Sequence, residues 1–593
     1  MSRMKCLFAV LVVAVIAGLA TQASAQVNVK VIIIGASGSW QAMGVAGYRA
    51  GLCPSGASQC KHYTDSKWTV VDSRPVSLGG TATSDGGTIW MLWDHNTGGC
   101  TVSVPCNVWV YAKVDSIVGN RCFFAQPRCT IAPTAGWGAN MGQIVLAGSA
   151  WGTDTVPPLP IQTFFNTAQT IQAAASEVRP EDAMLGQCRI NSQAGGGSDG
   201  LNGLGLSGAG GTLNAPGTCP SFGAALANLQ GQDLVSGIPT KTGHAHPNAF
   251  NIGPSTDPFT GTAVPAFSTV QVGAVPVVFI INRGTGAGPL ASVQDVTLSQ
   301  LQDAFSGNDC NGPALGGAAG AINVFSREPL SGTMNATEYT AFRFPRGSGG
   351  GYAGLSQETG LTGLATVSDV GCSVGGSRWQ GIGNGDLTFG LVNSNALASL
   401  HNRDGIGYMF FSYGNVASVG ADNSTFRYLT INGVDPIFSI YASTYDTGEN
   451  GSTGQLPGQA DLTSCSLKFP CSERKIWKGG YSFPNLRNGS YRQWAMIRLI
   501  GDTGSAPFTA AKSLATFAQT SVVTTVPDFV PFAAVTGAVT DPGLKLLRSH
   551  YTQEGVAPNN QTDLGGDEGG CIQAVASLAT KLVQREFGCA VGP

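Results

Sequence analysis

The run Val27-Asn28-Val29-Lys30-Val31-Ile32-Ile33-Ile34 limits the folds open to this chain more than any other stretch. It ends as unbroken apolar residues, a pattern that suits a strand covered on both faces in a parallel sheet. It leads straight into Gly35-Ala36-Ser37-Gly38-Ser39-Trp40, and residues 41–49 read as a helix. Strand, glycine turn and helix in succession aim backbone N–H groups at a small ligand. The turn lacks the G-x-G-x-x-G spacing of a dinucleotide site.

The same succession returns along the chain. Residues 272–282 form a strong apolar strand, and Thr297 is a natural N-cap for an amphipathic helix after it. Residues 322–325 and 404–411 read as strands, and helices are expected within 386–399 and near 507–519 and 571–587. Residues 162–185 also have a helical pattern, and Trp68-Thr69-Val70-Val71 is a short strand. Ser84-Asp85-Gly86-Gly87-Thr88 reads as a second hydroxyl-and-glycine turn. From 89 to about 149 the aromatic strand at 108–114 and four cysteines suggest a small β-rich, disulfide-bearing insertion. Residues 193–223 are Gly/Ser-rich and read as a surface loop. Alternating strands and helices give an α/β class with parallel-type sheets.

The segment Ser326-Arg327-Glu328-Pro329-Leu330-Ser331-Gly332-Thr333 has the makings of an anion cradle. The arginine offers a planar two-pronged donor, and Ser-Gly-Thr offers hydroxyls and N–H groups opening a helix over 334–342. A plain helix cap is the simpler reading of Ser-Gly-Thr taken alone.

Charge is scarce, with 11% charged residues and a net of -3, against ~25% charged in ordinary globular proteins. That balance argues against nucleic acid as a partner, because nucleic acid needs a basic face. Any anion site must therefore rest on a few well-placed donors. Arg3 and Lys5, the apolar run 7–19 and Ala23-Ser24-Ala25 read as a secretory signal peptide over residues 1–25. Beyond Cys6 fourteen cysteines remain, an even number that favours disulfides in an exported chain. Local pairs are expected for Cys53 with Cys60, Cys100 with Cys106, Cys122 with Cys129, Cys465 with Cys471 and Cys571 with Cys589. Cys188, Cys219, Cys310 and Cys372 are left for longer links.

With these segments placed, the chain resembles the phosphate-binding proteins of bacterial phosphate ABC transporters, in the type 2 periplasmic-binding-protein superfamily. Gly35 to Trp40 resembles the family's first glycine turn, which has Thr-Phe where this chain has Ser39-Trp40. Ser84-Asp85-Gly86-Gly87 resembles its Ser-x-Gly-Gly, and Ala175-Ser176-Glu177 its Ala-Ser-Asp. Residues 297–307 resemble its capped helix. Arg327 to Thr333 matches Arg-x-x-x-Ser-Gly-Thr, and Gly405-Ile406-Gly407-Tyr408 resembles its Ile-Gly-Tyr strand.

The resemblance implies a two-lobed fold with one oxyanion pocket and no bond-making. Lobe 1 would comprise 26–88 and 161–275, with the 89–160 insertion and a Gly/Ser-rich loop at 189–250; lobe 2 would comprise 276–480. Residues 481–593 would return to lobe 1 and extend it. Ser39, Trp40 and Ser84 would donate from one side, and Arg327, Ser331, Gly332 and Thr333 from the other. Glu177 would accept a hydrogen bond from a protonated phosphate oxygen, one methylene further out than the family's aspartate. The implied ligand is phosphate or a similar oxyanion, the implied partner a membrane ABC permease, and the location periplasmic or secreted.

Two readings from other classes stand beside it. One is an extracellular structural, adhesion or glycan-binding protein that uses the aromatic residues of 90–111. The other is a secreted hydrolase, because Gly371-Cys372-Ser373-Val374-Gly375 fits G-x-S-x-G, although no strong strand feeds it. His244-Ala245-His246 could bring two imidazoles to a metal, but it lies in a Pro-containing loop with no carboxylate pattern nearby.

Overall fold

The computed structural model describes residues 26–49, 60–74, 83–94, 100–142, 153–180, 250–327, 330–342, 370–381, 383–412, 425–437, 483–487, 490–522 and 528–531, with a few isolated residues and short strands between them. The signal peptide, His244 and His246, and most of the Gly/Ser-rich stretch lie outside these residues. So do the Cys465–Cys471 pair, Cys188 and Cys219.

The first strand, β1 (Val27–Gly35), is followed by helix α1 (Trp40–Arg49). An antiparallel ladder comes next, β2 (Lys61–Asp72) with β3 (Thr83–Trp93) and β3 with β4 (Cys106–Lys113). Helix α2 (Ser116–Phe124) is buried along its whole length, and β5 (Ala173–Ser176) follows it. The middle of the chain holds β6 (Phe267–Asn282), α3 (Leu298–Phe305), β7 (Asn323–Arg327) and the short α4 (Gly332–Thr337). After these come β8 (Ser377–Gly381), α5 (Gly383–Asn393), β9 (Gly405–Phe410), β10 (Trp494–Asp502) and α6 (Ala506–Phe517).

These strands make one mixed sheet in the order β8-β7-β9-β6-β10-β5-β1-β4-β3-β2, with short strands at both edges. β1 is parallel to β4 and β5, and β7 is parallel to β8 and β9. The remaining neighbours, including β6 with β9 and with β10, are antiparallel, so the sheet is not parallel throughout as expected. The sixteen-residue β6 links the two parallel groups. It pairs with β10 up to Pro276 and with β9 from Val277 on. At that handover Val277 accepts from the Tyr491 hydroxyl and donates its N–H to the Gln493 carbonyl.

Three expectations are corrected here. The stretch 89–160 is not an insertion on the sheet. β4 lies directly beside β1, with Ile32 opposite Val110 and Ile34 opposite Ala112, so it is a central strand. Its aromatic, apolar sequence reflects burial on both faces. Residues 162–185 are not one helix either: a short helix Leu159–Phe165 ends there, and Ala173-Ala174-Ala175-Ser176 is strand β5. Alanine favours a helix locally, but here tertiary packing decides. Gly35 comes so close to this strand that a Cβ on it would sit 2.0 Å from the Ala175 carbonyl oxygen. Finally, Cys571–Ala574 opens as a strand paired with Leu544–Leu547, where a helix was expected.

Other elements fall as read. Thr297 caps α3 through a full capping box with Gln300. Disulfides join Cys100 to Cys106, Cys122 to Cys129 and, as a longer link, Cys310 to Cys372. Cys60 is also disulfide-bonded. No described helix is long and apolar enough to cross a membrane.

Candidate functional site

Parallel neighbours β5, β1 and β4 bring three loops side by side: Glu177 just after β5, the glycine turn after β1, and Asp115-Ser116 after β4. Loops at the C-terminal ends of parallel strands are where α/β sheets place ligands. Facing them are the ends of β7 and β8, which carry Arg327, Ser331-Gly332-Thr333 and Asn384.

Glu177 lies where the two sides meet. Its side chain is 1% exposed. Its Oε1 accepts the Gly38 N–H at 3.1 Å, and its Oε2 accepts the Ser116 hydroxyl. Gly332 presses on the same carboxylate from the far side: a Cβ there would come within 2.5 Å of Glu177 Oε2 and 2.3 Å of Ser116 Oγ. Burial pushes the Glu177 carboxyl above the usual carboxylate range. The Ser116 and Gly38 hydrogen bonds pull it down, and the neighbouring Asp115 charge adds to the upward shift.

Arg327 is 2% exposed and bound to both sides. One Nη donates to Asp115 Oδ1 at 2.6 Å, and the other donates to Asn384 Oδ1. Asn384 in turn donates to the Ser37 hydroxyl at 3.0 Å. The Tyr408 hydroxyl accepts the Arg327 N–H at 3.2 Å. Ser331 caps the short α4 by accepting the Met334 N–H on its hydroxyl at 3.2 Å, which still leaves that hydroxyl a proton to donate. Thr333 is buried, and its carbonyl accepts from Thr337. α4 is only one and a half turns long before a π-type turn over Glu338–Phe342, so little dipole supports the cradle and its donors act singly.

On the first side, Ser39 is fully buried with its hydroxyl 3.1 Å from the Tyr111 hydroxyl, which donates to the Ala36 carbonyl. Trp40 opens α1, and its indole N–H donates to the Tyr111 carbonyl at 3.1 Å. Its ring belongs to the core, and its backbone N–H donates to the Ser37 carbonyl at 3.3 Å. Of the eight expected residues, Glu177, Arg327 and Gly332 are in direct contact with the facing loops, Ser39, Trp40, Ser331 and Thr333 lie next to such residues in the chain, and Ser84 stands apart.

Ser84 is not in a turn. It lies in β3 opposite Val71, and the glycines after it oppose Thr69 and Trp68 in the same ladder. Ser116 instead opens α2 after β4, on the strand–turn–helix that adjoins the first glycine turn, and bonds Glu177. Sequence reasoning also missed Asp115, Asn384 and Ser37. The usable signal was the run Val108 to Val114 followed by Asp115-Ser116 and a helix, the same grammar as the first turn.

The G-x-S-x-G match does not build a nucleophile elbow. Ser373 is exposed between the two-residue strands Val370–Gly371 and Val374–Gly375, and Cys372 is bridged to Cys310. A nucleophile elbow needs a strand running into a helix. Among the described residues no group of three or more His, Cys, Asp or Glu side chains is placed to hold a metal ion.

Gly332→Ala tests the contact at Glu177. The added methyl meets two oxygens at under 3 Å, so the two sides cannot close to the same distance. Binding of any ligand held between them is expected to fall by at least about tenfold, as overpacking at this scale costs ~1–3 kcal/mol. Titration calorimetry against the parent protein checks it.

No protein-family model matches the chain, and no curated protein matches it. Among solved structures, the chain is similar to a putative phosphate ABC transporter substrate-binding protein from Clostridium perfringens, solved with bound phosphate. The identity is 15%, over 44% of this chain and 71% of that one, with a TM-score of 0.23. It is similar to an ABC-type phosphate transport receptor from Vibrio cholerae at 13% identity, over 43% and 70%, with a TM-score of 0.23. It is also similar to an ancestral soluble variant of the human phosphate-binding protein at 13% identity, over 52% and 78%, with a TM-score of 0.25. Likeness at this level assigns neither a family nor a ligand.

Proposed function

We propose that this chain is an exported solute-binding protein that captures a tetrahedral oxyanion, phosphate first among them, and makes or breaks no bond. The observation that carries the reading is the convergence on Glu177. The Gly38 N–H, the Ser116 hydroxyl and the Gly332 backbone reach one buried carboxylate from two sides, and Arg327 is tied to the same loops. Neutral donors with one guanidinium suit an anion held without a large positive field. Ser39, Trp40 through its backbone, Ser116, Arg327, Ser331, Gly332 and Thr333 are the proposed donors, with Ser116 in the part first given to Ser84; to serve the anion, Ser116 turns its proton from Glu177 and Trp40 its N–H from the Ser37 carbonyl.

In this reading the strands flanking β6 form two lobes that meet at the Pro276–Val277 handover, and closure removes water from the anion. The protein would work outside the cytoplasm and hand its ligand to a membrane permease of the ABC type. Adhesion through the 90–111 aromatics loses support, since Trp90, Trp93, Trp109 and Tyr111 are buried.

Glu177 decides which anion is held. Ionised, it accepts a hydrogen bond from a protonated phosphate oxygen and repels fully ionised sulfate. Because its folded pKa is raised, it gains a proton as pH falls through a value above the ordinary glutamate range, and it can then donate to sulfate. Phosphate-over-sulfate preference should therefore be greatest above that raised value, with Glu177 ionised, and shrink as pH falls through it. Glu177→Gln should carry the shrunken ratio at every pH, lowered by about 10-fold or more. Competition calorimetry with phosphate and sulfate at several pH values reads this. A ratio untouched by the substitution removes Glu177 from the site, and no binding of either anion ends the oxyanion reading.

A further inference from the structure

Asp115 stands at the N-cap of α2 with an extended backbone, φ -88° and ψ 155°, where an aspartate ordinarily caps its own helix. Its side chain makes no such bond. It reaches instead to Arg327, 212 residues on, at 2.6 Å. The Ile117 N–H beside it donates to the Leu330 carbonyl, and Asn384 joins the other arm of Arg327 to Ser37. The two proposed lobes are thus fastened through the very groups that would hold an anion.

We infer that Asp115 is an internal counter-ion that latches the cleft and that an incoming oxyanion must displace from Arg327. The inference rests on the oxyanion reading for its ligand, though not for the latch. Asp115 holds one Nη of the guanidinium, so an arriving anion meets a like charge and a competitor for that same Nη. Asp115 therefore sets the affinity of the site, trading tight capture for a closed state that needs no ligand. An anion that enters releases the aspartate to its own helix, where the unused cap position waits for it.

Asp115→Asn removes the charge and keeps both shape and capping ability. Titrated with inorganic phosphate, the variant should bind about tenfold more tightly than the parent, since losing a like charge beside a bound ion lowers the cost of binding. In small-angle scattering without phosphate it should show a larger radius of gyration than the parent, returning to the parent value when phosphate is added. Equal or weaker phosphate binding overturns Asp115 as competitor, and an unchanged radius of gyration overturns the latch. Asp115→Ser, which cannot reach Arg327, repeats both measurements should asparagine keep the contact. If the parent protein binds neither phosphate nor sulfate, the oxyanion reading falls, and the scattering comparison alone then upholds or overturns the latch.

Discussion

Arg327→Ala should abolish oxyanion binding, with affinity falling by at least about 100-fold, because truncating one member of a buried charge pair costs ~2–5 kcal/mol. The guanidinium can give the anion a full positive charge and two parallel N–H bonds at the meeting of the loops. The same substitution should destabilise the unliganded protein by about 3–5 kcal/mol, since it leaves the Asp115 carboxylate buried without its charge partner. A structural loss could mimic a binding loss, so the double variant Arg327→Ala with Asp115→Ala separates them. Removing both charges should return most of the stability and none of the affinity. Calorimetry with phosphate and denaturant unfolding of both variants decide the matter; recovered binding in the double variant would mean that Arg327 only props the site.

The parts of this site that could be read from sequence are those whose chemistry is local. Gly35 to Trp40 and Arg327 to Thr333 each carry turn, hydroxyl and helix start within eight residues, and the structure sets both at strand ends. Asp115-Ser116 has the same grammar after an apolar strand. Four cysteines and a concentration of aromatics made its surroundings look like an appended module. The disulfides Cys100–Cys106 and Cys122–Cys129 are short-range and leave the strand between them free to pair with β1. A local bridge says nothing about which sheet a segment joins. Ser84 misled for the opposite reason, because Gly86-Gly87 reads as a turn when only the residues are seen. In β3 these glycines oppose Thr69 and Trp68, and the partner strand supplies the order that the glycines lack. Asn384, between two glycines, carries no sequence signal. Its role exists only because Arg327 and Ser37 arrive on either side of it.

Arg74→Ala should produce the largest loss of stability away from the site. Arg74 has no exposed side-chain surface and pairs with Asp72 at 2.9 Å and with Asp257 at 2.7 Å. Arg121 of α2 joins the group through Asp72 and Asp85. Asp257 also accepts the Gln126 N–H, so the cluster ties the end of β2, helix α2 and the 250–264 segment into one piece. Removing Arg74 leaves two buried carboxylates short of a cation, at a cost of about 3–5 kcal/mol. The pH dependence gives this prediction a signature that plain loss of packing would not have. Burial alone would raise the Asp72 pKa, but the Arg74 charge and hydrogen bonds outweigh it and hold the value below normal. In the parent protein Asp72 therefore contributes stability above the ordinary aspartate pKa, and that contribution is lost as pH falls through its lower folded value. Without Arg74 burial dominates and the folded pKa rises, so Asp72 becomes a cost at neutral pH that protonation relieves. The gap in melting temperature between parent and variant should consequently narrow from pH 7 to pH 4.5. A gap that stays constant or widens over that range would show that Arg74 acts by filling space and not by holding Asp72 ionised.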